Sequence, residues 1–249
     1  MKICLIGCGK MGSSLLEGWS SLKVIKHITI IEPNLDEIPS KLLNVKSFNF
    51  YKTIKEAENF SFDMTILAVK PQVMEVVLKQ ISNLNFISDS WLSIAAGLTV
   101  KFFENVLGNN QQIIRTIPNT PASIKKGVTA IYFNRNCKNK TINESILLMK
   151  AVGETIIVDD ENLMDAYTAV SGSGPAYIFY FVEAIISAAK EMGINEKNAR
   201  ILAEKTLIGS AYLLENSQAR AQDLRKAVTS PKGTTEAGLN VLMKKDAFF

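Results

Sequence analysis

Apolar residues fall into two regimes along the chain. From residue 1 to about 160, short β-rich runs alternate with stretches of helical periodicity. Strands are expected at Lys2–Ile6, Ile28–Glu32, Met64–Val69, Trp91–Ala95, Ile113–Ile117, Val128–Phe133 and Thr155–Val158. Helical spacing lies between them at Gly12–Leu22, Gln72–Ile81, Val100–Leu107 and Asn143–Ala151. Strands separated by helix-length segments predict βαβ units and a mainly parallel, doubly wound sheet. After about Glu161 the strand-like runs stop. Ala176–Met192, Glu196–Leu214 and Thr234–Met243 show helical periodicity instead, punctuated by Gly193 and by Pro231-Lys232-Gly233. The chain therefore reads as an α/β domain over residues 1–160 followed by an all-helical domain over residues 161–249.

The run from Ala176 to Val182 is apolar nearly all round, so its helix needs cover on every side. Either the rest of the chain or a second subunit supplies that cover, and periodicity alone does not separate the two.

Composition narrows the class of function. The 249 residues are 47% apolar and 21% charged, proportions of a globular protein. The net charge of +4 comes from scattered basic residues, so no nucleic-acid footprint is expected. Cys4, Cys8 and Cys137 make an odd count, which argues for a reducing compartment. Cys4 and Cys8 stand in a Cys-x3-Cys spacing with no further ligand nearby, and read as structural thiols rather than a metal site. The first residues enter a strand directly, without the pattern of a signal peptide. The segment Ala176–Ala189 contains Glu183 and is too short to span a bilayer. A soluble, cytoplasmic protein is expected.

The first strand runs into Gly7-Cys8-Gly9-Lys10-Met11-Gly12, a G-x-G-x-x-G that opens a helix. A second strand ends about 20 residues later in an acid, Glu32, which completes the context of a dinucleotide-binding unit. Gly7 permits the tight turn, Gly9 lets a pyrophosphate approach the backbone, and Gly12 lets helix and strand pack closely. Free N–H groups at the helix N-terminus then meet the phosphate charge. A carboxylate at Glu32 hydrogen-bonds ribose hydroxyls and repels a 2′-phosphate, so the cofactor is NADPH or NADH with a lean towards NADH.

His27, the only histidine, begins a strand, whereas ligands gather at the carboxyl ends of such sheets. Alcohol oxidation usually needs a base; with no histidine available a lysine could serve, and Lys70 is the one to watch. Reduction of a protonated imine asks for less, because the nitrogen already carries its proton. A second cluster lies at Val228–Leu239, where Ser230, Gly233, Thr234 and Thr235 sit at a helix start. Hydroxyls and free N–H groups there suit a small carboxylate, and equally suit ordinary helix capping by Ser230 or Thr234. The segment Ser171–Ala176 reads as an interdomain hinge ahead of the long apolar helix, with Pro175 suited to a first turn.

In order along the chain, GCGKMG at 7–12, AVKPQ at 68–72, SIAAG at 93–97, RTIPNTP at 115–121, SGSGPAY at 171–177 and VTSPKGTT at 228–235 resemble the pyrroline-5-carboxylate reductase family. That resemblance implies a Rossmann-like first domain, a helical second domain that interleaves with a partner subunit, and a homodimer or dimer-based larger oligomer. It implies reduction of 1-pyrroline-5-carboxylate to proline by hydride transfer from NAD(P)H, the last step of proline biosynthesis. Ile6, Gly7, Cys8, Gly9, Lys10, Met11 and Gly12 would hold the pyrophosphate, and Ala68, Val69, Lys70 and Pro71 the ribose side. Ala95, Ala96 and Gly97 would flank the nicotinamide, near Asn119. Ser230, Gly233, Thr234 and Thr235 would grip the substrate carboxylate, with Thr235 as the catalytic residue at the ring nitrogen.

Four features depart from the family pattern. Glu32 stands where many members carry small hydroxyl or basic residues. Ile54 precedes Lys55-Glu56-Ala57 where Asn is common, and Lys232 replaces a glycine of the signature loop. The chain closes at Asp246-Ala-Phe-Phe, about where relatives continue into a further helix. Rival readings are a reductase of another cyclic imine or a 2-hydroxyacid on the same fold, and a non-catalytic NAD(H)-binding sensor.

Overall fold

A computed structural model describes residues 1–243. The chain runs β1 (Lys2–Ile6), α1 (Lys10–Trp19), β2 (His27–Ile31), α2 (Ser40–Leu43), β3 (Phe48–Tyr51), β4 (Ser61–Phe62), β5 (Met64–Leu67), α3 (Pro71–Ser82), β6 (Ile87–Ser88), β7 (Ser90–Ser93), α4 (Val100–Leu107), β8 (Gln112–Ile117), β9 (Gly127–Phe133), α5 (Asn139–Lys150) and β10 (Gly153–Ile157). Helices follow: α6 (Met164–Tyr167), α7 (Gly174–Glu191), α8 (Glu196–Asn216), α9 (Ala221–Ala227) and α10 (Thr234–Leu242). Two compact units result, Met1–Tyr177 and the remainder from Ile178.

Eight strands form one sheet in the order β10-β9-β8-β7-β5-β1-β2-β3, while β4 and β6 pair separately. All neighbours in the large sheet are parallel except β8 and β9. The alternation of β1 assigns its two faces: Ile3 and Leu5 join a core with Leu15, Leu16, Trp19, Leu148 and Val152. Cys4 and Ile6 join another with Met74, Leu78, Ile81, Val100 and Phe103. Helices thus cover both faces, as the continuous apolar strands require. The expected doubly wound sheet followed by helices is what the chain forms.

The chain moves outward from β1 through β2 to β3, then returns to β5 on the other side of β1. Connections diverge at that point, and a crevice opens beyond the carboxyl ends of β1 and β5. His27 lies at the opposite end of β2, exposed.

Several elements differ from expectation. The edge strand β3 has no counterpart among the expected strands: it is four residues long and only Phe48 in it is buried. Strand β9 is antiparallel to β8 because residues 118–126 form a 3-10 turn and loop, too short for a helical crossover. The Ser171–Ala176 segment is not a hinge loop. Thr168–Gly172 is a π-helical turn that runs directly into α7, with Pro175 in the first turn. The helical run Glu161–Glu191 is therefore longer than the apolar segment read from sequence, and by length and composition it would suffice to cross a membrane.

In the second unit, α8 is capped by Asn195, whose Oδ1 accepts the Asn198 N–H at 3.0 Å. Only Ala189 of α7 is buried, and Phe179 and Tyr180 are 61% and 71% exposed. Among the described residues, the aromatic side chains Phe179 and Tyr180 are therefore left without cover. The closing Asp246–Phe249 lies outside the described residues.

Trp19 joins α1 to α5: it is fully buried and its Nε1 donates to the Leu148 carbonyl at 2.9 Å. Trp19→Phe removes that bond and leaves a void, and should lower stability by about 2–3 kcal/mol in urea unfolding.

Candidate active site

The turn between β1 and α1 is fixed by sterics. Gly7 has φ +92°, and a Cβ there would lie 2.7 Å from the Ala68 carbonyl oxygen. A Cβ on Gly12 would lie 2.6 Å from the Gly7 oxygen. Above Gly9 nothing lies within 4 Å of where a Cβ would stand, so the backbone is open to a ligand there. Gly9 is the N-cap of α1 and no side chain caps the first turn. These N–H groups and the helix dipole suit a phosphate. Gly7 and Gly12 therefore sit where a side chain would collide with backbone, and Gly9 sits where the space above the backbone is open.

Glu32 follows β2 and reaches across this turn. Its Oε2 accepts the Cys8 N–H at 2.7 Å and its Oε1 accepts the Asn34 N–H at 3.0 Å. Two backbone donors therefore hold the carboxylate still at the rim of a cleft of about 880 Å³. Ile6, Gly7, Gly9, Glu32, Ala68, Val69 and Lys70 line that cleft together. A dinucleotide fits this set: an open backbone for phosphate, a fixed carboxylate for ribose, and apolar walls for a base.

Pro71 starts α3 immediately beyond Lys70. Gly12 and Cys8 are buried and act from beneath the turn, with the Cys8 thiol pushed up chiefly by that burial. Lys10 and Met11 line a neighbouring groove that shares Gly9. Ala95, Ala96, Gly97 and Asn119 do not line the cleft; they follow β7 and β8, at the same end of the sheet. Ala96 and Gly97 are exposed at their loop tip. The Asn119 amide is committed internally: Oδ1 accepts the Val128 N–H at 2.9 Å and Nδ2 donates to the Ser171 carbonyl at 3.1 Å. It ties β9 to the π-helical turn.

Sequence reasoning missed part of the lining. Lys52, Thr53 and Lys55 come from the connection after β3, and Val73, Val77 and Gln80 from α3. The Thr53–Glu56 capping box was a readable signal for that turn, since Glu56 accepts the Thr53 N–H at 2.8 Å. Ile54 is buried at 6% exposure beside them. Lys52 and Lys55 bring positive charge to the cleft that holds Glu32.

In the second unit, Gly233 is the N-cap of α10, and no side chain caps that helix. Capping by Ser230 or Thr234 is thus not the arrangement adopted. Among the described residues, the Ser230, Thr234 and Thr235 hydroxyls have no hydrogen-bond partner. The Gly233 N–H donates to the Ser230 carbonyl at 3.1 Å, and a Cβ on Gly233 would meet Ser230 Oγ at 2.7 Å. Lys232 holds φ +60°, and its N–H donates to Glu236 Oε2 at 2.7 Å. The loop presents three unengaged hydroxyls beside uncapped N–H groups, an arrangement able to hold a small carboxylate.

Residues 161–248 match the family model described as pyrroline-5-carboxylate reductase dimerisation. Residues 2–97 match the model for NADP oxidoreductase, coenzyme F420-dependent. The chain is 33% identical over 239 residues to the pyrroline-5-carboxylate reductase of Pseudomonas aeruginosa, covering 96% of this chain and 87% of that one. The solved structure of a pyrroline-5-carboxylate reductase from Coxiella burnetii is similar with a TM-score of 0.83 at 31% identity, covering 96% of this chain and 89% of that one. The NADP-bound pyrroline carboxylate reductase of Plasmodium falciparum is similar with a TM-score of 0.80 at 26% identity, covering 97% and 89%. With its cleft beyond β1 and β5, its uncapped α10 loop and this likeness along nearly its whole length, the chain belongs to the pyrroline-5-carboxylate reductase family.

Proposed function

We propose that this protein reduces 1-pyrroline-5-carboxylate to L-proline with NAD(P)H, the closing step of proline biosynthesis. The observation that carries the reading is the cleft at the β1–β5 crossing. There an open Gly9 backbone, an uncapped α1 and a Glu32 carboxylate held by two N–H groups lie together. The family relationship supplies the substrate class.

In this reading residues 1–160 bind the dinucleotide, and residues 161–249 bind substrate and pair two chains. Ile6 to Gly12 take the pyrophosphate, Glu32 the adenosine ribose, and Ala68 to Pro71 the ribose side. Ala95, Ala96 and Gly97 flank the nicotinamide, and Asn119 holds the framework behind it. When bound, the reduced nicotinamide supplies a hydride to C5 of the cyclic imine.

The α10 loop orients the acceptor. Ser230, Gly233 and Thr234 hold the carboxylate, and Thr235 Oγ1 accepts a hydrogen bond from the protonated ring nitrogen. That nitrogen keeps its proton as the C=N electrons move onto it, so no strong acid is required. A threonine hydroxyl is far too weak an acid to protonate it alone. Catalysis rests on orientation and electrostatic complementarity. The histidine at the far end of β2 is consistent with chemistry that needs no imidazole.

Glu32 makes NADH the preferred cofactor, while Lys52 and Lys55 in the same cleft offset part of the penalty on a 2′-phosphate. The exposed face of α7 is covered by a second copy of the chain, giving a homodimer or a dimer-based assembly, in the cytoplasm.

Incubation with pyrroline-5-carboxylate should oxidise NADH, and NADPH more slowly. A folded protein that binds NADH and turns over neither would sink the reading. Thr235→Ala should lower kcat/KM by about 10²-fold while leaving the NADH dissociation constant within about twofold; equal loss of both would remove Thr235 from its role. Glu32→Ser should shift the NADH/NADPH ratio towards NADPH by roughly tenfold, the worth of one surface charge contact at about 1–2 kcal/mol. An unchanged ratio would refute the ribose contact.

A further inference from the structure

The cofactor cleft leaves unexplained a buried charge on the other side of β7. Arg115, in β8, is only 4% exposed, and its guanidinium Nη1 donates to Glu161 Oε1 at 2.5 Å. The same oxygen accepts the N–H of Val100, the first residue of α4, at 2.6 Å. Arg115 Nε has no partner, so among the described residues the guanidinium depends on Glu161 for its compensation. A buried ion pair of this kind is often no more stable than two well-packed apolar side chains, so it is weak evidence of a purely stabilising role.

What the pair encloses gives it a purpose. Arg115 stands beside Ser93, the last residue of β7, in the sheet register. Ser93 fixes the start of the next loop: its Oγ accepts the Ala95 N–H at 3.1 Å, and its carbonyl accepts the Thr116 hydroxyl at 2.9 Å. Val100 marks the end of that loop, where Thr99 caps α4. One carboxylate oxygen thus joins the strand beside the loop's entry to the helix at its exit. Between them Ala96 and Gly97 are exposed, and Gly97 has φ +75°. A loop whose tip is exposed and carries a conformationally free glycine keeps one shape only if both ends are held.

We propose that Glu161, paired with Arg115, is a positioning residue that fixes the Ala95–Thr99 loop and through it the nicotinamide end of the cofactor. The proposal rests on the dinucleotide reading above. It adds a residue that touches neither cofactor nor substrate and sits at the start of the segment matching the dimerisation model. Glu161 holds the loop from the helical side and Ser93 from the strand side.

The test is a double substitution, Arg115→Met with Glu161→Ala, which removes both charges together and leaves no buried ion unpaired. Amide exchange should quicken in residues 94–103 and stay unchanged in β1 and β5. The NADH dissociation constant, read by fluorescence, should stay within about twofold, while kcat falls about tenfold or more, as misplacement of a reacting centre does. The primary deuterium isotope effect on kcat should rise, because hydride transfer becomes slower relative to product release. A smaller folded fraction would not change an isotope effect.

Unchanged exchange in 94–103 would overturn the proposal, as would a loss of kcat that tracks the folded fraction with the isotope effect unmoved. Should the double variant fail to fold, Glu161→Gln serves: its amide oxygen still accepts the Val100 N–H, so exchange in the loop should rise less and kcat should fall less. Equal behaviour of Glu161→Gln and wild type in both readouts would also overturn it. If the wild-type protein binds NADH but reduces no pyrroline-5-carboxylate, the substrate reading fails, while the exchange measurement still decides whether Glu161 holds the loop.

Discussion

Where β1 passes beneath the first turn of α1, there is room for hydrogen atoms and for little else. A methyl group on Gly7 would press on the Ala68 carbonyl, and one on Gly12 would press on Gly7 itself. The Gly7 N–H donates to Ile31 and the Ala68 N–H to Ile6, so β1, β2 and β5 are locked at the level of the turn. This close approach points α1 at the crevice and brings Glu32 within reach of Cys8. The cleft beside the turn is therefore a consequence of how tightly one helix and three strands meet.

Order in the rest of the site comes from polar side chains that hold backbone in place. Glu32 secures the glycine turn, Asn119 secures β9 against the π-helical turn, and Glu161 secures the start of α4. Each satisfies backbone N–H groups that the sheet and helices leave over, and each stands beyond the carboxyl end of a strand. Backbone amides that secondary structure leaves over demand such partners, and meeting that demand at this edge also stiffens the carboxyl end of the sheet.

The glycine turn and Glu32 were legible in the sequence because their physics is local: a strand, three glycines at fixed spacing and an acid at the next strand's end. The strands β1, β5, β7 and β8 were legible as apolar runs long enough to be buried on both faces. Phe48–Tyr51 was not, since four residues half open to solvent are too few to establish a period. With it went Lys52 and Lys55, whose place in the cleft depends on where that strand ends. The pairing of Glu161 with Arg115 spans 46 residues and has no local signature at all. The direction of β9 hung on chain length between strands rather than on residue type. The hydroxyls of the α10 loop were legible as a cluster, but only the structure shows Gly233, and no side chain, at the N-cap.

The exposed aromatic face of α7 carries a consequence for how the protein behaves in dilute solution. If a second chain covers that face, the folded state is stabilised by mass action, and its melting temperature rises with protein concentration. Soon after synthesis, before a second copy is met, Phe179 and Tyr180 face water, a surface on which chains adhere without specificity. Expression level would then set how much of the population is paired and how much is at risk of aggregation.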